Sequence, residues 1–211
     1  MSADGILAIW HDCVRGREAD FEAWYQGEHL LERLAVPGFL FGRRHEAVSG
    51  TPRYFMMYVG ETPAVFTSAA YLARLNDPTP LTKKVMTEMF RDMNRTVCRR
   101  VARAGTYRGS VAVTLRFDAV PDRAATTALM ENLVRDPACA SAEFWEADAA
   151  AAPVQEEERL RGGDKRIAAC LMVDTMREGE AAPMATDLAR RFPDAETGVY
   201  RVLCTHGRSE V

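Results

Sequence analysis

Apolar and polar positions change their period along this chain, and the changes mark out its elements. Residues 5–10 (GILAIW) form a continuous apolar run that ends in His11 and Asp12, as in a short strand covered on both faces. Over residues 17–34 the spacing lengthens. Phe21, Trp24, Tyr25, Leu30, Leu31 and Leu34 recur at helical intervals among charged residues until Pro37-Gly38 forbids continuation. Residues 39–48 and 54–59 are β-rich runs joined by Ser49-Gly50-Thr51-Pro52, which predicts an antiparallel hairpin. Residues 64–75 are helical again, and Asp77-Pro78-Thr79-Pro80 interrupts them. Leu81, Val85, Met89 and Met93 then give a second helical stripe, capped by Thr79 with Pro80 in its first turn. A strand over residues 96–102 completes the order βαββαβ.

The order then repeats. Residues 109–117 read as a strand and 122–135 as a helix with Ala125, Leu129 and Leu133 on one side. Residues 139–147 and 165–175 give two strands, 182–192 a helix and 198–206 a last strand, while 148–164, rich in Ala, Glu and Gly, reads as a solvated loop. First strands begin 104 residues apart and last strands 102 apart, which points to two halves, 1–105 and 106–211, related by duplication and divergence.

A four-stranded sheet with two helices has one face left over. Here Leu7 and Ile9 alternate with Ile6, Ala8 and Trp10, and Tyr54, Met56 and Tyr58 alternate with Phe55, Met57 and Val59, so neither face is polar. A second sheet should cover the open one. The expected fold is therefore α+β: two ferredoxin-like βαββαβ halves whose antiparallel sheets pack face to face as an α/β barrel. The other half of the same chain is the partner at highest effective concentration; a second copy, giving a homodimer, is the alternative.

Composition narrows the function classes. With 27 basic and 30 acidic residues and no like-charge block longer than Glu156-Glu157-Glu158, the chain has no footprint for nucleic acid or an anionic membrane. No stretch has the roughly 18 apolar residues of a membrane span, and the N-terminus lacks a signal-peptide pattern, so a cytoplasmic location is expected. The five cysteines are scattered and form no CxxC pair, and read as reduced, buried hydrophobes. No GxGxxG, phosphate loop or GxSxG elbow is present, so the sequence calls for neither a nucleotide cofactor nor a serine hydrolase.

Phe21, Trp24-Tyr25, Glu28-His29-Leu30, Pro37-Gly38-Phe39 and Arg43-Arg44 resemble the pattern of EthD-type members of the dimeric α/β-barrel superfamily, over about residues 5–104. The resemblance implies a ferredoxin-like fold, sheets paired into a barrel, and a cleft between helix and sheet that takes small apolar or aromatic compounds without an organic cofactor. The superfamily also holds monooxygenases, isomerases, dehydratases, haem enzymes and members without activity, so it does not choose a reaction.

His29 is the first candidate for chemistry, because an imidazole can exchange a proton near neutrality. Tyr25 lies four positions earlier on the same helical face and could stack on a ligand or donate its hydroxyl, with Trp24 shaping the wall. On the second strand Arg43 and His45 point one way and Arg44 and Glu46 the other, so one basic pair should face any cavity and seek a carboxylate. Tyr54, Tyr58 and Tyr71, with Met56, Met57 and Met86, could line an adaptable apolar pocket or simply be core. Glu28 and Glu32, followed by Arg33, read as a solvated or salt-bridged face. His11, His29 and His45 could ligate a metal or haem, but no local ligand motif joins them. Three readings stand: a cofactor-independent acid–base enzyme with His29 and Tyr25 as catalytic groups, a non-catalytic binder of a small ligand, and a haem enzyme.

Overall fold

The computed structural model describes residues 3–148 and 154–210. Its eight strands are β1 (Gly5–Cys13), β2 (Phe39–Ser49), β3 (Tyr54–Gly60), β4 (Phe90–Gly105), β5 (Val111–Phe117), β6 (Cys139–Ala147), β7 (Ala169–Thr175) and β8 (Glu196–Gly207). They close into one antiparallel barrel in the order β1-β3-β2-β8-β5-β7-β6-β4. Each half contributes four consecutive strands of the ring, and the halves are stitched at two seams, β2 to β8 and β4 to β6. The sheet face left open by the first half is thus covered by the second half of the same chain.

Helices lie outside the ring. In the first half they are α1 (Glu18–Trp24), a π-helical turn (Tyr25–His29) and α2 (Leu30–Leu34), then α3 (Ala69–Asn76) and α4 (Pro80–Glu88); in the second, α5 (Arg123–Leu133), α6 (Glu156–Leu160) and α7 (Glu178–Arg191). The Thr79 side chain accepts from the Thr82 N–H at 3.0 Å and Pro80 opens α4, as the sequence predicts. Among the described residues no helix is long and apolar enough to cross a membrane.

Period-2 alternation divides the strand residues between two cores. Leu7, Ile9, Met56 and Tyr58 face the first-half helices, whereas Ile6, Ala8, Trp10, Phe55 and Met57 face the barrel interior with Trp145, Met172 and Tyr200. The second half packs its own outer face, with Val113, Leu115, Phe144 and Leu171 under Met130 and Leu188. One ion pair crosses the interior: Arg43 donates to Asp174 Oδ2 at 2.7 Å and to the Gly109 carbonyl at 2.7 Å. Gly109 sits so close to β7 that a Cβ would lie 2.2 Å from the Thr175 carbonyl oxygen. Gly109→Ala is expected to push the two strands apart at a cost of about 1–3 kcal/mol, read as a lower urea midpoint at unchanged m-value.

Two elements differ from expectation. The stripe containing Met89 and Met93 does not stay helical, because α4 ends at Glu88 and Met93 sits in β4, facing the same helix-side core from a strand. A residue that touches the core from either period carries no signal of which one applies. The segment expected to be a solvated loop contains α6, and Glu157 and Glu158 of its acidic run are buried because arginines meet them. The five cysteines are free, with Cys98, Cys139 and Cys170 buried.

Candidate functional site

Between the first-half helices and the outer face of β1, β3 and β4 lies a small cavity of about 30 Å³, room for about one water molecule. Tyr25, His29 and Arg33 enter it from the helix, His11 and Tyr58 from the strands, Tyr71 from α3, and Glu157 and Arg161 from the α6 segment.

The helix is not regular where the site is built. Over Tyr25–His29 it widens into a π turn, in which the Leu30 N–H donates to the Tyr25 carbonyl five residues back. That turn brings both Trp24 and Tyr25 against His29, with ring centroids 4.4 and 5.2 Å away. A plain helix would set Trp24 well round from His29. Trp24 does not line the cavity; it backs the imidazole and donates from Nε1 to the Thr82 hydroxyl at 2.9 Å. The hydroxyls of Thr82 and Thr79 both donate to Glu28 Oε1, at 2.7 and 2.5 Å, so Glu28 anchors α4 to the π turn rather than facing solvent.

His29 Nδ1 is buried without a hydrogen-bond partner. His11 donates from Nδ1 to the Asp12 carbonyl at 3.3 Å, with the tautomer assigned from that contact, which leaves Nε2 as a buried acceptor with nothing to accept. Burial, reinforced by neighbouring arginines, lowers His11 to about 3 and holds His29 well below the usual imidazole range. Both rings are therefore neutral at pH 7. Facing them, the hydroxyls of Tyr25 and Tyr58 share a hydrogen bond of 2.5 Å. Burial raises both phenols above their ordinary value, so both keep their protons and can donate. Arg44 lies over the Tyr25 ring, 4.1 Å from its centroid, and binds Glu22 through two nitrogens at 2.6 and 2.8 Å.

Charge at the cavity is carried by arginines. Arg33 donates from Nη2 to Glu157 Oε1 at 2.5 Å, joining residues 124 apart in sequence and both buried. Arg161 is held by Asp164 at 2.6 and 2.7 Å, and Arg95 donates to the Tyr71 hydroxyl at 3.0 Å.

Of the site residues read from sequence, His29, Tyr25 and Tyr58 meet at the cavity, as do Tyr71, Met56 and Met86. Tyr54 packs on His11 and Phe21 beside it. The β2 alternation holds, but its faces lead elsewhere. Arg43 and His45 point into the barrel, with His45 stacked on Phe55 at 4.7 Å, and Arg44 turns to Glu22. Arg33, Arg95, Arg161 and Glu157 escaped sequence reading. Arg33 alone had a signal, since Tyr25, His29 and Arg33 follow at successive four-residue steps. Among the described residues no three His, Cys, Asp or Glu side chains gather where a metal ion could sit.

No family model matches the chain, and no curated protein is similar to it in sequence. Solved structures are similar in fold. An anthrone oxidase-like protein superposes with a TM-score of 0.63 at 8% identity, covering 100% of this chain and 96% of that one. Two proteins provisionally assigned as monooxygenases follow. One, from Fusobacterium nucleatum, has a TM-score of 0.56 at 10% identity over 98% and 96% of the two chains. The other, from Lactobacillus acidophilus, has 0.50 at 6% over 97% and 97%. The likeness is one of fold, a closed antiparallel barrel flanked by helices.

Proposed function

We propose that the protein is an acid–base enzyme acting on a small aromatic or apolar compound, of the EthD-like kind, with halves 1–105 and 106–211 as diverged copies of which the first keeps the site. The observation that carries this reading is the meeting of two neutral, buried imidazoles, each with an unpartnered nitrogen, and a pair of protonated tyrosine hydroxyls around one cavity. His29 takes a proton from carbon beside a substrate carbonyl, the C–H electron pair becomes a carbon–carbon double bond, and the carbonyl π pair moves onto the oxygen. That oxygen, as it gains charge, accepts a hydrogen bond from the Tyr58–Tyr25 pair, and the imidazolium later returns its proton. This first step is common to isomerases, dehydratases and cofactor-independent monooxygenases. His11 and Trp24 hold the apolar surroundings that keep the imidazole neutral until substrate arrives.

No His or Cys lines the neighbouring groove of about 400 Å³, so that groove offers haem neither an imidazole nor a thiolate ligand. That groove shares Phe90, Met93 and Arg161 with the cavity and supplies the way in.

Proton abstraction can be read without knowing the product. Anthrone, 2-tetralone and phenylpyruvate incubated with protein in D2O are expected to exchange their acidic C–H, followed by NMR. His29→Gln is expected to lose at least about 100-fold of that rate while melting within about 3 °C of wild type. Exchange that survives His29→Gln, or a loss matched by a fall in stability, removes His29 from the chemistry. Protein that binds these compounds but exchanges none of them is a binder without turnover.

A further inference from the structure

We propose that the substrate of this cavity is a small aromatic carboxylate, whose carboxylate group replaces that of Glu157 on Arg33. The inference rests on the site described above and names the class of molecule it accepts.

Arg33, Arg95 and Arg161 line the cavity, and Glu157 is the one carboxylate that does so among the described residues. Asp164 neutralises Arg161 and Glu157 neutralises Arg33, while Arg95 is held by a tyrosine hydroxyl and by no carboxylate among the described residues. A ligand carboxylate that takes the place of Glu157 on Arg33 keeps that cation paired, and the half-buried Arg95, in no salt bridge among the described residues, adds its attraction for the same negative charge.

Geometry says where that charge goes. The Arg33 guanidinium is 2% exposed, yet Glu157 engages it through Nη2 alone and leaves Nη1 buried without a partner. A planar guanidinium half-used by one carboxylate oxygen is built for a carboxylate approaching on both nitrogens. Glu157 thus stands in for the ligand's own group. It comes from the second half on a five-residue helix, held by Asn76, whose amide donates to Gln155 at 2.7 Å and accepts from the Glu156 N–H at 3.2 Å, and by Arg166, which donates to Glu158 at 2.9 and 3.1 Å. Beyond α6 the chain turns through Gly162 and Gly163, at φ of +88° and +98° with open space around both. Lifting residues 155–164 withdraws Glu157, merges the cavity with the adjoining groove and opens a room of aromatic-acid size.

The test is calorimetric titration with benzoate and its neutral isostere benzamide. Wild type is expected to bind benzoate and not benzamide at millimolar concentration. Glu157→Gln is expected to tighten benzoate about tenfold and leave benzamide unchanged, because the competing carboxylate is gone. Arg95→Met in the otherwise wild-type chain is expected to weaken benzoate at least about tenfold, which decides the matter should Glu157→Gln fail to fold. Benzamide binding as well as benzoate, Arg95→Met leaving benzoate unaffected, or a folded Glu157→Gln no tighter than wild type overturns the proposal. These outcomes are separate from the deuterium exchange: exchange confined to neutral ketones sinks this inference alone, and benzoate binding by the stated pattern without any exchange sinks only the catalytic reading.

Discussion

Lowering the pH from 7 to 5 is expected to reduce the stability of this protein by several kcal/mol, well before ordinary carboxylates are protonated. His11, His29 and His45 are all buried, and burial lowers each, His11 to about 3 and the other two well below 6.5. Neighbouring arginines push the same way: Arg44 and Arg161 at His11 and His29, Arg33 also at His29, and Arg43 at His45. In the unfolded chain the three rings take up protons as the pH falls through about 6.5, whereas in the folded state burial holds His11 neutral down to about 3 and keeps His29 and His45 neutral well below 6.5. Their contribution is therefore present above the unfolded value and is lost as the pH falls below about 6.5, for His11 down to about 3. Each ring contributes up to about 1.4 kcal/mol per pH unit, so the slope approaches about 4 kcal/mol per unit below pH 6. Urea denaturation at pH 7, 6 and 5 reads this directly. His45→Leu, which keeps an apolar group against Phe55, should remove about a third of the slope; an unchanged slope in that variant, or a flat profile in wild type, would show that these rings do not stay neutral.

The second large effect belongs to the ion pair inside the barrel. Arg43→Met leaves the Asp174 carboxylate 1% exposed and without its cation, at an expected cost of about 3–5 kcal/mol. Burial already raises Asp174, and Arg43 opposes the rise together with a hydrogen bond from the Gly109 backbone, so the single variant should also take up a proton more readily at this position. The double change Arg43→Met with Asp174→Leu removes both charges from an interior formed by Trp10, Phe55 and Met172 and should recover most of the loss. Urea unfolding of the three variants checks the cycle. A double variant as unstable as the single would mean that Arg43 acts through its bond to the Gly109 carbonyl, which both variants lack.

Much of the fold could be read from the chain because the inner strands of each half, β1, β3, β5 and β7, carry long apolar runs. Ile6 to Trp10 and Tyr54 to Val59 demand cover on both faces, and only a second sheet supplies it. The helix bearing Tyr25 and His29 was legible for the complementary reason, a 3.6-residue stripe against Pro37-Gly38. The π turn within it was not, since one widened turn changes no residue type. Charged partners were the least legible feature. Arg33 and Glu157 read locally as a surface pair and a surface run, and only the return of the chain 124 residues later makes them a buried bridge. Arg43 and His45 could be assigned to one face, but which face looks into the barrel depends on the closure of the ring.

That closure has a further consequence. In an open four-stranded sheet the two outer strands leave a row of N–H and C=O groups free to pair with any other extended chain. Here those outer strands are spent on each other, β2 against β8 and β4 against β6, so all eight strands have both neighbours. Another molecule cannot lengthen this sheet by adding a strand; it must meet the protein through helices, loops or exposed strand side chains such as Val101 and Leu203.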